Sequence, residues 1–200
     1  MSRLSVVVVG GGVIGLWQGL ELARRGHRVT LREAAEEQAT GGASRLAGAM
    51  LAPWCESDGA PPIVRQLGIE GLPLWRTVIP DLAMTGSLVV AHARDRGELH
   101  RMARITGGCR PVAAAGISAL EPGLARFEHG LLYPDEGHLA PRRALATLVR
   151  TLGQHGAELR FGEPVPEPVW LAASGADLLI DCRGLAARGD VEGLRGVRGE

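Results

Sequence analysis

Val6–Gly15, VVVVGGGVIG, carries an apolar strand straight into the spacing Gly10-x-Gly12-x-x-Gly15. Each glycine has its own physical task in a dinucleotide cradle. Gly10 permits the tight turn out of the strand, and Gly12 lets the backbone approach a pyrophosphate with no Cβ in between. Gly15 lets the next helix pack close on the strand, so that its N-terminal N–H groups face the phosphates. In a chain with 29 glycines the spacing alone is weak, and its surroundings give it weight. A helix is expected over Ile14–Arg25, ended by Gly26-His27, and a second strand over Arg28–Leu31 leads to Glu33. An acidic residue at that distance can accept hydrogen bonds from the adenosine ribose hydroxyls. The competing reading is a glycine-rich βα turn that holds no ligand.

The composition excludes several classes. With 200 residues, 46% hydrophobic and 22% charged, the chain reads as an ordinary globular protein of one large or two small domains. Its 22 basic residues balance 22 acidic ones, and no basic stripe points to nucleic acid or an anionic membrane. The pairs Arg24-Arg25 and Arg142-Arg143 lie among apolar helical positions and read as a solvated face. Every basic residue is arginine, so the chain has no lysine for a Walker A loop or a pyridoxal Schiff base. Cys55, Cys109 and Cys182 are odd in number and widely spaced, which argues against a disulfide framework or a zinc site. The six histidines show no metal-ligand spacing, so no metal is expected. No run approaches the ~18 apolar residues of a membrane span, and a cytoplasmic location is the expectation.

Further along, the small-residue stretch Ala43–Pro53 reads as a short helix stopping before Pro53. Two readings stay open for it: close packing against a neighbour, or a second phosphate-facing helix start with the Ser44 hydroxyl as donor. Helices are expected over Ile63–Val78, Glu98–Ile105 and Pro141–His155, the last with Pro at its start and Gly156 after its end. Strands are expected over Leu88–Ala91, His129–Tyr133, Ala157–Phe161 and Leu178–Ile180. Three prolines keep Glu163–Val169 from being a central strand. Asp181-Cys182-Arg183-Gly184 is a polar turn at a strand's carboxyl end, where doubly wound sheets place ligands. Val197–Glu200 reads as the opening of a further strand, so the chain is expected to be the N-terminal part of a longer protein.

In order, VVVVGGGVIG, ELARRGHRVTLRE, ASRLAGAMLAP, GHLAPRRALATL, LLIDCRGLAA and LRGVRGE together resemble the D-amino acid oxidase family of flavoenzymes. The likeness is closest to its glycine oxidase branch, associated with thiamine biosynthesis. The resemblance implies an α/β fold: a Rossmann-like FAD-binding domain of the glutathione-reductase type with part of an inserted α+β substrate domain. It implies residues 1–84 and 137–194 for the FAD-binding domain, and 85–136 and 195–200 for the incomplete substrate domain. Gly10, Gly12, Val13, Ile14 and Gly15 would bind the FAD pyrophosphate, and Glu33 would hold the ribose with Ala34 beside it. Ala43 and Ser44 would reach the phosphates, while Gly48, Ala49 and Met50 would run along the flavin ring. Val165 falls where family members meet the adenine through their backbone.

The family reaction takes a hydride from the α-carbon of a small amino acid or amine to FAD, with dioxygen as the electron acceptor. The chemistry belongs to the cofactor, so no general base is expected, and no catalytic residue is named. In the family an arginine clamps the substrate carboxylate. None of the 22 arginines here matches that position, Arg198 included. Two alternatives stay open: a non-catalytic FAD-binding fragment, and an NAD-dependent dehydrogenase resting on the glycine loop and Glu33 alone. A homo-oligomer is also left open. With partner strands missing, the chain by itself is expected to be poorly stable.

Overall fold

The computed structural model describes residues 2–37, 42–165 and 175–196, which form two compact units. The first comprises residues 1–49 and 140–200, the second residues 50–139.

The first unit is built on a four-stranded parallel sheet. Strand β1, Ser5–Val9, pairs on one side with β2, Arg28–Glu33, and that strand pairs in turn with Glu158–Phe161. On its other side β1 pairs with Leu178–Asp181. The apolar run at residues 6–9 suits a central parallel strand, whose two faces are both covered. Val6, Val8 and Val9 are accordingly buried. Helix α1, Val13–Arg24, buries Gly15, Leu16, Gly19, Leu20 and Ala23, a stripe at helical spacing. The Pro141–Gln154 helix buries the same pattern in Ala144, Leu145, Leu148, Val149 and Leu152. The two helices meet at Gly19, where a Cβ would come within 3.2 Å of Leu152 Cδ2. Removing the fully buried Leu152 side chain would leave a cavity costing about 2–5 kcal/mol.

The second unit contains a three-stranded antiparallel sheet. Its central strand is β6, His129–Tyr133, flanked by β4, Ser87–Ala91, and by β5, Arg110–Ala113. Alternation along β6 sends Leu131 and Tyr133 into one apolar cluster with Cys55 and Leu99, and Leu132 into another with Ile117 and Phe127. Leu99 and Ile117 belong to helices α3, Arg96–Thr106, and α4, Ala114–Leu120. Helix α2, Pro62–Val78, is tied to the end of α3 by Arg65 Nη1 donating to the Thr106 carbonyl at 3.0 Å. Residues 50–84 and 137–139 belong to the second compact unit, and 195 and 196 to the first.

The α/β class holds, and most expected elements are present with ends moved by one or two residues. Ala43–Pro53 is a correction. It is a 3-10 turn, Ala43–Arg45, followed by a two-residue strand β3, Met50–Leu51. Positive φ angles at Gly42 (77°) and Ala49 (52°) break the helical path, and β3 pairs antiparallel with β7, Gly137–His138. That pairing joins residues almost ninety positions apart, which no local pattern announces. The strand expected at Val197–Glu200, and Pro166–Val169 of the proline-rich stretch, lie outside the described residues.

Candidate functional site

The carboxyl end of β1 leads into a turn that only glycine can make. Gly10 has φ +108°, and a Cβ on it would meet the Cys182 carbonyl oxygen at 2.4 Å. Gly15 faces back into the same turn, where a Cβ would meet the Gly10 carbonyl oxygen at 1.9 Å. Gly12 is different. Its backbone (φ −71°, ψ 176°) is one that any residue adopts, and a Cβ would touch only Ser44 Oγ at 3.4 Å. Nothing in the described protein requires glycine there.

Gly12 is the N-cap of α1 and carries no side chain to cap it. The next N–H, of Val13, donates to Ser44 Oγ at 3.1 Å, so the 3-10 turn stands against the helix start. Glu33, at the end of β2, is held from two sides. The Gly11 N–H donates to Oε2, and the Ala35 N–H donates to Oε1 at 2.9 Å. The carboxylate is thereby fixed beside the glycine turn with further lone pairs still available.

These groups share one groove of about 710 Å³. Gly10, Gly12, Val13, Ile14, Glu33, Ala34, Ala43, Ser44 and Val165 all line it. Gly15 is buried in the first turn of α1 beneath it. Gly48, Ala49 and Met50 are not part of its lining; Met50 opens β3 in the second unit with its side chain half exposed. Val165 is buried against Val9, with Val7 and Leu179 beside them.

Two arginines complete the walls, and sequence reasoning named neither as a site residue. Arg32 Nη2 pairs with Glu163 Oε2 at 2.7 Å. Arg183 Nη2 lies 2.8 Å from both Asp181 Oδ2 and Asp190 Oδ2, and its Nη1 donates to the Val165 carbonyl at 3.4 Å. Pro164 has no N–H to give a ladder, so side-chain ties of this kind hold the segment 163–165 together with the Glu163 N–H to Glu33 carbonyl bond of 3.0 Å. The Arg183 guanidinium keeps the Asp181 carboxyl below the usual carboxylate range. Burial, with the Asp181 charge adding to it, pushes the Cys182 thiol up. The polar turn after Ile180 was the available signal for this wall.

The start of α1, where Gly12 brings no side-chain cap, gives the groove a positive dipole end suited to a phosphate. Its volume falls within the range of about 300–1,000 Å³ usual for small-molecule sites. The open face of Gly12 leaves room for close backbone approach, and the fixed Glu33 carboxylate accepts hydroxyl donors. A dinucleotide such as FAD fits this donor and acceptor set. Among the described residues no group of three or more His, Cys, Asp or Glu could hold a metal ion, and no helix is long and apolar enough to cross a membrane.

Comparison with known proteins agrees with this chemistry. A Rhizobium etli protein named as the thiamine biosynthesis oxidoreductase ThiO is 42% identical over 199 residues, covering 98% of this chain and 59% of the relative. The crystal structure of glycine oxidase from Geobacillus kaustophilus superposes with a TM-score of 0.76 at 24% identity, over 94% of this chain and 57% of the other. L-α-glycerophosphate oxidase from Mycoplasma pneumoniae, solved with FAD bound, has the same fold, with a TM-score of 0.67 at 20% identity over 81% and 45% of the two chains. The chain thus spans less than two thirds of the length of these relatives. The family model for FAD dependent oxidoreductases matches residues 5–200, and the chain belongs to that family.

Proposed function

We propose that the chain forms the FAD cradle of a glycine oxidase-like enzyme that oxidises the CH–NH bond of a small amino acid or amine by hydride transfer to the flavin. The observation that carries this reading is the single groove shared by the glycine turn, Glu33, Ser44 and Val165, which come from four separate parts of the sequence. Bound FAD supplies the hydride acceptor, and dioxygen is its reoxidant in this reading.

The chain's own residues supply position. The Gly12–Ile14 backbone at the start of α1 holds the pyrophosphate, with Gly10 and Gly15 shaping the turn beneath. Ala43 and Ser44 reach the phosphates from the other side. Glu33, immobilised by two N–H donors, accepts from the ribose hydroxyls, and Ala34 packs beside it. The Val165 backbone meets the adenine. Gly48, Ala49 and Met50 run along the flavin ring. The 42% identity to a protein named for thiamine biosynthesis supports the glycine oxidase branch over other members.

Parallel titrations with FAD and NADH test the reading. FAD is expected to bind and to acquire a protein-induced shift in its visible absorption band, with NADH binding far more weakly. Preferential NADH binding would instead favour a dehydrogenase.

A further inference from the structure

The second unit holds a cavity of about 370 Å³ whose lining includes Met50, Cys55, Glu56, Ser87, Met102 and His138. Among the described residues no arginine contributes to this lining, in a chain with 22 of them. Glu56 supplies a carboxylate at the wall. A second carboxylate, Glu136, is fully buried directly behind it. Three lining residues are its neighbours: Glu136 Oε1 accepts from the Cys55 N–H at 2.8 Å, its carbonyl accepts from the Gly86 N–H at 2.9 Å, and Gly137 follows it in sequence.

Glu136 Oε1 also accepts from the Trp54 N–H at 2.8 Å, whereas its Oε2 is buried with no hydrogen-bond partner. A buried acceptor left unmet is costly, and a cation nearby is one way to offset it. Both carboxylates act on the same spot. Burial, reinforced by Glu136 and by the charge of Glu56, pushes the Cys55 thiol up to about 12. The cavity is therefore a place of negative potential with apolar methionine walls and hydroxyl and imidazole acceptors. A donor-only cation with a small apolar body suits that combination.

We infer that this cavity is a binding site for the ammonium group of a small organic amine, with Glu56 as its anchoring carboxylate. The inference deepens the reading above and rests on it through Met50, which that reading sets beside the flavin ring and which also lines this cavity. It gives the substrate's nitrogen end a holder among residues of this chain.

Met50 and Met102 both line the cavity, so methyl-13C methionine labelling reports on it. In the FAD-loaded protein at fixed ionic strength, methylammonium chloride is expected to shift both methyl signals saturably, and sodium acetate to leave them in place. E56Q is expected to weaken methylammonium binding at least tenfold, with E56D retaining part of it; Glu56 is exposed, so neither change threatens the fold. Equal responses to acetate and methylammonium, or unchanged binding in E56Q, overturn the inference. FAD uptake without any methionine response overturns it while leaving the flavin reading intact. A cation response abolished by E56Q in a protein that takes up no FAD supports the cation site and removes the flavin reading.

Discussion

A Cβ on Gly15 would lie 1.9 Å from the carbonyl oxygen of Gly10, so the third glycine of the turn is locked to the first. At Gly12, between them, a Cβ would make only an ordinary contact with Ser44 Oγ at 3.4 Å. The three glycines therefore separate into two that the fold requires and one that it does not. G15A is expected to destabilise the protein by about 3 kcal/mol, because backbone on both sides must move. G12A is expected to cost less than about 1 kcal/mol in urea unfolding, the loss of a favourable N-cap. The same G12A protein should lose at least tenfold in FAD affinity by fluorescence titration. If G12A binds FAD as the wild type does, the pyrophosphate does not pass over Gly12.

Glu33 makes a second, separable prediction. Its two oxygens accept from Gly11 and Ala35 N–H groups, which leaves it anchored before any ligand arrives. Glu33→Gln replaces one acceptor with an amide donor aimed at an N–H. The expected result is a stability loss of about 1–3 kcal/mol, typical of a bond to a charged group, together with at least a tenfold weaker FAD complex. Equilibrium unfolding without cofactor separates the first effect from the second. A stability loss with unaltered FAD affinity would make Glu33 a structural tie only.

The sequence was legible where local rules and tertiary structure agree. The apolar run of β1, the glycine spacing and the apolar stripe of the Pro141–Gln154 helix each specify their element without outside help. Ala43–Pro53 was not legible in this way. Its alanines favour helix, but Ala49 takes φ +52° and Met50 pairs with His138, so a distant strand overrides local propensity. β5 was not anticipated because Arg110 and Pro111 carry no strand signal; the strand is short, exposed except at Val112, and pairs on one side only, where proline is tolerated. In the site, Glu33 could be placed from its distance to the glycine turn, whereas the segment of Ser44 allowed two readings and only the family resemblance set it toward the phosphates. Arg32 gave no such signal, and the turn that holds Arg183 was legible while its partners were not, because Glu163, Asp190 and Val165 are brought beside these arginines only by the fold.

Cys55 and Cys182 are expected to differ in alkylation. Cys55 is buried and its thiol is pushed up to about 12, so iodoacetamide at pH 8 should leave it unmodified in the native protein. Cys182 is partly exposed in the groove, with its thiol raised by burial and by Asp181, so it should react slowly. FAD should slow it further, by at least severalfold, through occupation of the groove. Peptide mapping over a time course measures both. Equal labelling of Cys182 with and without FAD would place the cofactor elsewhere.

Acid should act on the groove through Asp181. Its carboxyl is held below the usual range by Arg183, so it binds fewer protons folded than unfolded. The stability it contributes is thus complete above the unfolded value of about 3.9 and is lost as pH falls through the lower folded value. Asp181→Asn removes this contribution and leaves Arg183 with Asp190, so a loss on the order of 1 kcal/mol is expected at pH 7. The urea midpoint of the wild type should then fall more steeply than that of the variant between pH 5 and pH 2.5, and the two should converge at the acid end. Parallel curves across that range would mean that the bond to Arg183 persists unchanged in the unfolded chain. Because Arg183 also donates to the Val165 carbonyl, the same acid range should weaken FAD binding in the wild type, as the groove wall at Val165 loosens.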